Sequence, residues 1–384
     1  MASDTTIRIR AYNVGFGDCL LVRIPDGSAT RWLLIDFGNA PGQQNDRFQD
    51  IAEDIEKETG GHLDVVVMTH EHLDHIEGFS STRKVFNRMT VDQVWMSLPS
   101  DPRYYSKYPK ARKQKTLRDA TRAFAASLAA TRTVAPSFLA LLQNNLSNAD
   151  RIDYIRDLAP SKAKVRYLSR GSSIATTPAS SRVKFRVLAP EKDVSVYYGS
   201  SKGAQFAALT HSLTAAHERS GWQTFPGVKR VPKPTNLSGT DWDQLLQSTQ
   251  GGAADAIRTL DKAANNTSLV FQMEAHGKRL LFTGDAELES WSVMLVKTKS
   301  SLKPVDFLKV SHHGSHNGTP LDLLDTLLPK SRKDRAHVLV STRAKVYGTV
   351  NPVPDAALLK KLKERCKKLH STDDTSKLYV DVSI

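Results

Sequence analysis

Residues 69–75 read Thr-His-Glu-His-Leu-Asp-His and follow directly on Val65–Met68. That continuous apolar run is the signature of a strand buried on both faces. Nothing else in the chain restricts its fold so tightly. Imidazole and carboxylate donors suit Zn²⁺, Mn²⁺ or Fe. Their spacing is too compact to place all four on one ion. His70 and His72 point one way from a loop, while Asp74 and His75 can point another, an arrangement that suits two adjacent metals.

Two later segments have the same character. Leu281-Phe282-Thr283-Gly284-Asp285 ends a predicted strand with a glycine that permits a sharp turn. The aspartate at its tip can bridge two cations. Val310-Ser311-His312-His313-Gly314-Ser315-His316 is a second histidine cluster, again at the end of a short buried strand. Three clusters of ligand type, each at a strand exit, carry more weight together than any one alone.

The elements around them predict a layered α/β architecture. Ile7–Tyr12 alternates with period 2, as a half-buried strand does, and Cys19–Ile24 and Trp32–Asp36 follow as strands. Phe48–Thr59 has helical apolar spacing, which Gly60-Gly61 stops. Further on, Val183–Leu188 is a strand, and Ser268–Glu274 with Arg279–Thr283 reads as a hairpin turning at His276-Gly277. Glu287–Thr298 and Leu321–Leu328 are helices, Phe307–Val310 and Ala336–Ser341 are strands, Ala356–Leu369 is a basic amphipathic helix, and Lys377–Val382 is a closing strand. The second half echoes the first.

Two stretches read as insertions. Residues 101–160 begin with nine cations over 101–132, interleaved with Tyr104, Tyr105 and Tyr108, and Ala120–Ala130 reads as helical. Residues 196–262 have weak periodicity and one predicted helix, Asp241–Ser248. The whole chain has 54 Lys+Arg against 40 Asp+Glu, a formal charge of +14 over 384 residues. That excess favours an anionic partner without choosing among nucleic acid, a phosphorylated substrate and an acidic membrane surface.

Other classes drop out. No apolar run approaches the roughly 18–20 residues of a membrane span. Met1–Arg10 has no signal-type apolar core. Cys19 and Cys366 are the only cysteines, so no disulfide framework is available, and a reducing, cytoplasmic location is expected.

The motif set resembles the metallo-β-lactamase superfamily, and more narrowly the soluble ComEC/Rec2-type hydrolase domain. Asn13-Val14-Gly15-Phe16-Gly17-Asp18 is similar to that family's opening DVGQGD motif. Leu33–Gly38, Asn265–Val270, Leu280–Glu287 and Leu308–Ser315 are similar to its later motifs. The resemblance covers roughly 5–100, 165–195 and 265–384, and it implies a four-layer αβ/βα sandwich with metals at the edge between two sheets. It implies that His70 and His72 hold one ion, that Asp74, His75 and His313 hold the other, and that Asp285 bridges them. His312 is expected beside them, as a substrate or supporting residue. These residues must converge, so residues 1–384 are expected to form one catalytic domain carrying the two insertions.

The chain departs from the family pattern at three places. Asn13 and Phe16 replace the usual Asp and Gln. A further histidine ligand is missing between the first cluster and Asp285, where only His211, His217 and His276 occur. The loop Tyr347–Pro352 lacks the family's histidine.

Two divalent ions, Zn or Mn, would hold a bridging water and lower its pKa toward neutrality. Asp74 or Asp285 would help orient that nucleophile, and His312, Ser315 or His316 would donate to a phosphoryl oxygen or leaving group. With the positive charge, this predicts a metal-dependent phosphodiesterase or nuclease acting on an anionic, phosphate-containing substrate, nucleic acid among them. Two other readings stay open. One is a small-molecule hydrolase (cyclic nucleotide, phosphocholine-type ester, lactone or thioester), and the other is a metal-binding partner module.

Overall fold

The computed structural model describes residues 5–41, 46–129 (side chains to 120), 143–144, 148–174, 183–197, 257–344, 346, 352–373 and 376–384. The predicted helix Asp241–Ser248, His211, His217 and residues 347–351 lie outside them, as does most of the second predicted insertion.

Thirteen strands are described: β1 (Arg8–Tyr12), β2 (Leu20–Asp26), β3 (Ala29–Ile35), β4 (His62–Met68), β5 (Thr90–Ser97), β6 (Val165–Leu168), β7 (Val183–Ala189), β8 (Val270–Ala275), β9 (Lys278–Phe282), β10 (Phe307–Lys309), β11 (His337–Val340), β12 (Lys368–Ser371) and β13 (Tyr379–Ser383). They form two sheets, in the orders β13-β1-β2-β3-β4-β5-β6 and β12-β11-β10-β9-β8-β7. Each sheet opens antiparallel and turns parallel. β13, β1, β2 and β3 pair antiparallel, then β3 to β6 run parallel. In the second sheet β7, β8 and β9 pair antiparallel, then β9 to β12 run parallel. This repeat is the echo visible in the sequence. It also puts the last strand of the chain beside the first.

Alternating side chains assign the layers. Ile9, Val22, Leu33, Val65 and Val67 of the first sheet meet Val187, Phe271, Met273, Leu280 and Phe282 of the second, forming the central core. The other face of the first sheet, with Leu21, Leu34 and Val66, buries Phe48, Ile51 and Ile55 of the helix Phe48–Thr59, and Ile76 and Phe79 of the helix Leu73–Ser81. The outer face of the second sheet does the same for Trp291 and Met294 of the helix Leu288–Lys297, and for Leu358 and Leu362 of the helix Ala356–Lys363. Helix, sheet, sheet, helix is a four-layer αβ/βα sandwich.

Two expectations need correction. β1 is buried on both faces, because its second face lies under a helix instead of water. Arg10 is therefore only 3% exposed, paired with Asp54 at 2.8 Å and Asp381 at 2.9 Å. The expected helix Ala356–Leu369 stops at Lys363, and Lys368–Ser371 joins β11 as a parallel edge strand. Short runs that mix Lys with Leu and His satisfy either period, and here the open sheet edge decides.

Within the first predicted insertion a helix runs from Arg112 to Ala129, starting earlier than its apolar spacing indicates. Tyr104, Ala111 and Leu117 pack with Val194, Tyr197, Leu260 and Ala263, so the described flanks of both predicted insertions share one apolar cluster.

Candidate metal centre

Parallel strands present their exits along one edge of each sheet, where loops are free to carry side chains of chemical use. Asp36 follows β3, Thr69–His75 follows β4, Asp285 follows β9, His312 and His313 follow β10, and Ser341 follows β11. Three backbone segments cross there too closely for side chains. A Cβ on Gly17 would lie 2.2 Å from the Gly38 carbonyl oxygen and 2.5 Å from that of Asp74. One on Gly38 would lie 2.2 Å from the Leu73 carbonyl oxygen. The two glycines let the turns after β1 and β3 lie against the start of the histidine helix. Asp18 N–H then donates to the Asp74 carbonyl at 3.0 Å, and Phe37 N–H to that of His75 at 2.7 Å.

Donor atoms of Asp74, His75, Asp285 and His313, all buried, lie within 4.8 Å of one another. His75 Nε2 is 3.2 Å from Asp285 Oδ2, and His313 Nε2 is 3.0 Å from that oxygen and 3.3 Å from Asp74 Oδ2. His70 and His72 form an adjoining pair, with Nε2 and Nδ1 3.1 Å apart, and the His70 ring stands 4.2 Å from that of His75. One nitrogen of each inner histidine is committed to the scaffold. Thr69 donates its hydroxyl to Asp36 at 2.7 Å and so accepts from His70 Nδ1 at 3.2 Å. His75 Nδ1 donates to Asp36 at 2.7 Å, and His313 Nδ1 donates to the Ser341 carbonyl at 2.9 Å. All three rings thereby aim Nε2 inward, as imidazole ligands oriented by supporting hydrogen bonds do.

Charge in this cluster points the same way. Burial alone would disfavour charged His75 and His313, yet flanking carboxylates outweigh it. Asp285 and Asp36 hold the His75 pKa well above the ordinary value, and Asp285, Asp74 and Asp18 raise that of His313 to about 10. Asp285 is held well below the carboxylate range, where burial is overcome by His313, His75 and Lys309. Its surroundings favour positive charge between these oxygens, which protons or metal ions satisfy. His70 differs: burial first, then His75 and His72, keep it neutral and able to act as a ligand. Asp74 Oδ1 and Asp18 Oδ1 are buried without a hydrogen-bond partner among the described residues. Donor chemistry, orientation and orphaned oxygens all fit divalent cations.

Several supporting residues were not singled out from the sequence. Lys309 is 1% exposed, pairs with Asp18, donates to the Gly284 carbonyl at 3.1 Å and stands 3.4 Å from Asp285 Oδ1. Asp285 Oδ2 is the oxygen turned to the histidines. Asp36, noted only as a motif position, anchors both Thr69 and His75. Phe16, already noted as a departure from the motif it resembles, packs its ring 4.4 Å from His313.

The residues expected to act on substrate separate. His312 sits beside the cluster, partly exposed and in the left-handed backbone region at φ 49°. Its Nδ1 is 3.6 Å from Glu287, which accepts from Asn265 at 2.8 Å and Asn317 at 2.7 Å. Burial raises the Glu287 pKa to about 8. Ser315 donates to Asn317 at 2.6 Å and so belongs to that network. His316 is exposed, and among the described residues no hydrogen bond or ion pair joins it to the cluster. His276 is at the hairpin tip and contacts the Pro25 carbonyl at 2.7 Å, far from this edge. Asp261 comes within 3.6 Å of His72 Nε2.

The basic stretch is partly consumed internally. Asp101 takes Lys107 at 3.0 Å and Arg103 at 3.6 Å. Arg118 pairs at 2.6 Å with Glu71, the residue between His70 and His72. Asn148 donates to the Glu71 carbonyl, and Asn144 accepts from Leu73 N–H at 2.9 Å. The predicted insertion thus grips the histidine loop from outside.

Residues 31–151 match the family model of the beta-lactamase superfamily domain, a span that contains β3, β4 and the first histidine cluster. No curated protein matches the chain. The matched domain, the four-layer sandwich and the buried Asp/His cluster together support the metallo-β-lactamase superfamily, whose members are generally hydrolytic and mostly metal-dependent.

Proposed function

We propose that the chain is a metal-dependent phosphodiesterase or nuclease of ComEC/Rec2-like type, built as one domain with two insertions. The observation that carries this reading is the convergence of Asp74, His75, Asp285 and His313, from both halves of the chain, into one buried donor set. These residues would hold one divalent cation, and His70 and His72, with Asp285 alongside, a second. Such cations supply Lewis acidity and a water that ionises near neutral pH.

The protein's own groups do the rest. Asp36, Thr69 and Ser341 fix the histidine rings, and Lys309 holds Asp285 with one oxygen turned inward. Asp74, with one buried oxygen unpartnered, would accept a proton from the attacking water. His312, at the partly exposed rim and backed by Glu287, would face the substrate's leaving group. The +14 charge favours a phosphate-bearing substrate over a neutral lactone or thioester.

Hydrolysis of bis-p-nitrophenyl phosphate and of single-stranded DNA, with Mn²⁺ or Zn²⁺, tests the reading. Asp74→Ala is expected to lower the rate at least about 100-fold. Activity on a lactone or thioester with none on either phosphodiester would reject it. The small-molecule alternative draws on one observation: the apolar cluster that ties Tyr104 and Leu117 to Leu260 sets Asp261 beside His72, a wall such as a closed pocket needs.

A further inference from the structure

A second cationic feature lies at the opposite edge of the second sheet, where β9 and β10 begin. At about 3.3 Å per residue, β9 spans roughly 13 Å from Lys278 to Phe282, and Asp285 lies beyond its far end. There a cavity of about 750 Å³ opens between the β8–β9 hairpin tip, the start of β7 and the loops before β10 and after Leu328. Five cations and two carboxylates line it.

Both carboxylates are already engaged. Asp306 accepts from the Arg279 backbone N–H at 2.8 Å and from the Arg332 guanidinium at 2.6 Å. Glu274 accepts from Arg279 at 2.9 Å. The two arginines are therefore fixed in place, with Arg279 also donating to the Pro304 carbonyl at 2.9 Å. The three lysines are in a different state. Lys184 and Lys303 are exposed and Lys278 is half-buried, and among the described residues none of the three has an ion-pair partner. Strand register puts Lys184, Glu274 and Arg279 in one row across β7, β8 and β9. The excess charge extends beyond the cavity: after burial, Lys367, Lys368 and Lys278 are what lower the pKa of His337 on the neighbouring β11.

We infer that this cavity is a binding site for a compact, multiply charged phosphate ligand, separate from the metal centre. Its volume is in the range of small-ligand sites. Fixed guanidinium groups, with exposed ammonium groups around them, can surround several phosphate oxygens. Phosphate chains of a nucleotide and of inorganic polyphosphate share this chemistry. The inference does not depend on the hydrolase reading, because no residue of the metal centre lines the cavity.

Isothermal titration of the full chain with inorganic tripolyphosphate and with ATP, in EDTA and about 0.15 M salt, tests it. Saturable one-to-one binding is expected. It should weaken at least about tenfold when Lys184, Lys278 and Lys303 are together changed to Gln, and stay unchanged in Asp285→Asn. Matching thermal melts of the triple variant and the wild type would establish that its fold is intact. Equal affinity for the two ligands would assign recognition to the phosphate chain alone, and tighter ATP binding would add the nucleoside. Absence of saturable binding, wild-type affinity in the triple variant, or binding of single-stranded oligonucleotide alone would overturn the inference.

Discussion

Lys309 shows how much of the centre depends on charges taken out of water. Its strand reads as a short buried strand holding one lysine, and nothing local places that ammonium group between Asp18 and Asp285. Breaking a buried pair leaves its partner uncompensated, a cost of about 3–5 kcal/mol. Lys309→Met is therefore expected to destabilise the fold by that amount in urea unfolding. A shift below about 1 kcal/mol would mean that Asp18 does not need the ammonium. The histidines were legible because ligand-type residues at short spacing stand out against an apolar strand. Asp18, Asp36 and Lys309 were not singled out, because their roles are set by contacts between strands far apart in sequence. The separation of His316 from the cluster was likewise not legible, since its placement depends on how the chain turns after Gly314.

Among elements, the helix Arg112–Ala129 carries much of the 101–132 stretch, whose cations favour an anionic partner. Its Arg118 instead turns inward to Glu71, inside the histidine motif. Outer partners of metal-binding groups typically contribute 10–100-fold to metal affinity, while a half-exposed ion pair adds only about 0–1 kcal/mol to stability. Arg118→Met should thus weaken Zn²⁺ or Mn²⁺ binding about 10-fold or more, with little change in thermal melting and partial recovery in Arg118→Lys. Unchanged metal affinity would make the grip purely structural.

The β11–β12 edge carries a second, independent prediction. His337 Nδ1 and His370 Nε2 are 3.0 Å apart. Burial, then His337 and Lys368, lower the His370 pKa from 6.5 to about 4. The folded state therefore binds fewer protons than the unfolded chain between those values. Its stability is fully present above pH 6.5 and falls as the pH drops toward 4. His370→Gln should remove about 2 kcal/mol of that acid-side loss, read as a flatter stability profile in chemical denaturation across this window. An unchanged profile would refute the assignment. The strand itself was missed because a helical period and a short edge strand are equally consistent with Lys-Leu-His-Ser.

On the scale of the whole molecule, the layered class and the strand-to-helix echo could be read from periodicity, and the sheets display both. The closing of the first sheet by β13 against β1 could not, since pairing of chain ends leaves no local pattern. Net charge was the least specific signal. The described ion pairs divide it into charge that holds the histidine loop, charge that surrounds the distal cavity, and exposed groups. Among the described residues no helix is long and apolar enough to cross a membrane.

The central claim is that both halves of the chain supply one metal centre, and elemental analysis of the purified protein tests it most directly. Wild type is predicted to carry two divalent ions per chain, and Asp285→Asn, in the second half, to lose metal although the His70–His75 motif is intact. A folded wild type with a metal content near zero, or an Asp285→Asn variant with full occupancy, would contradict it.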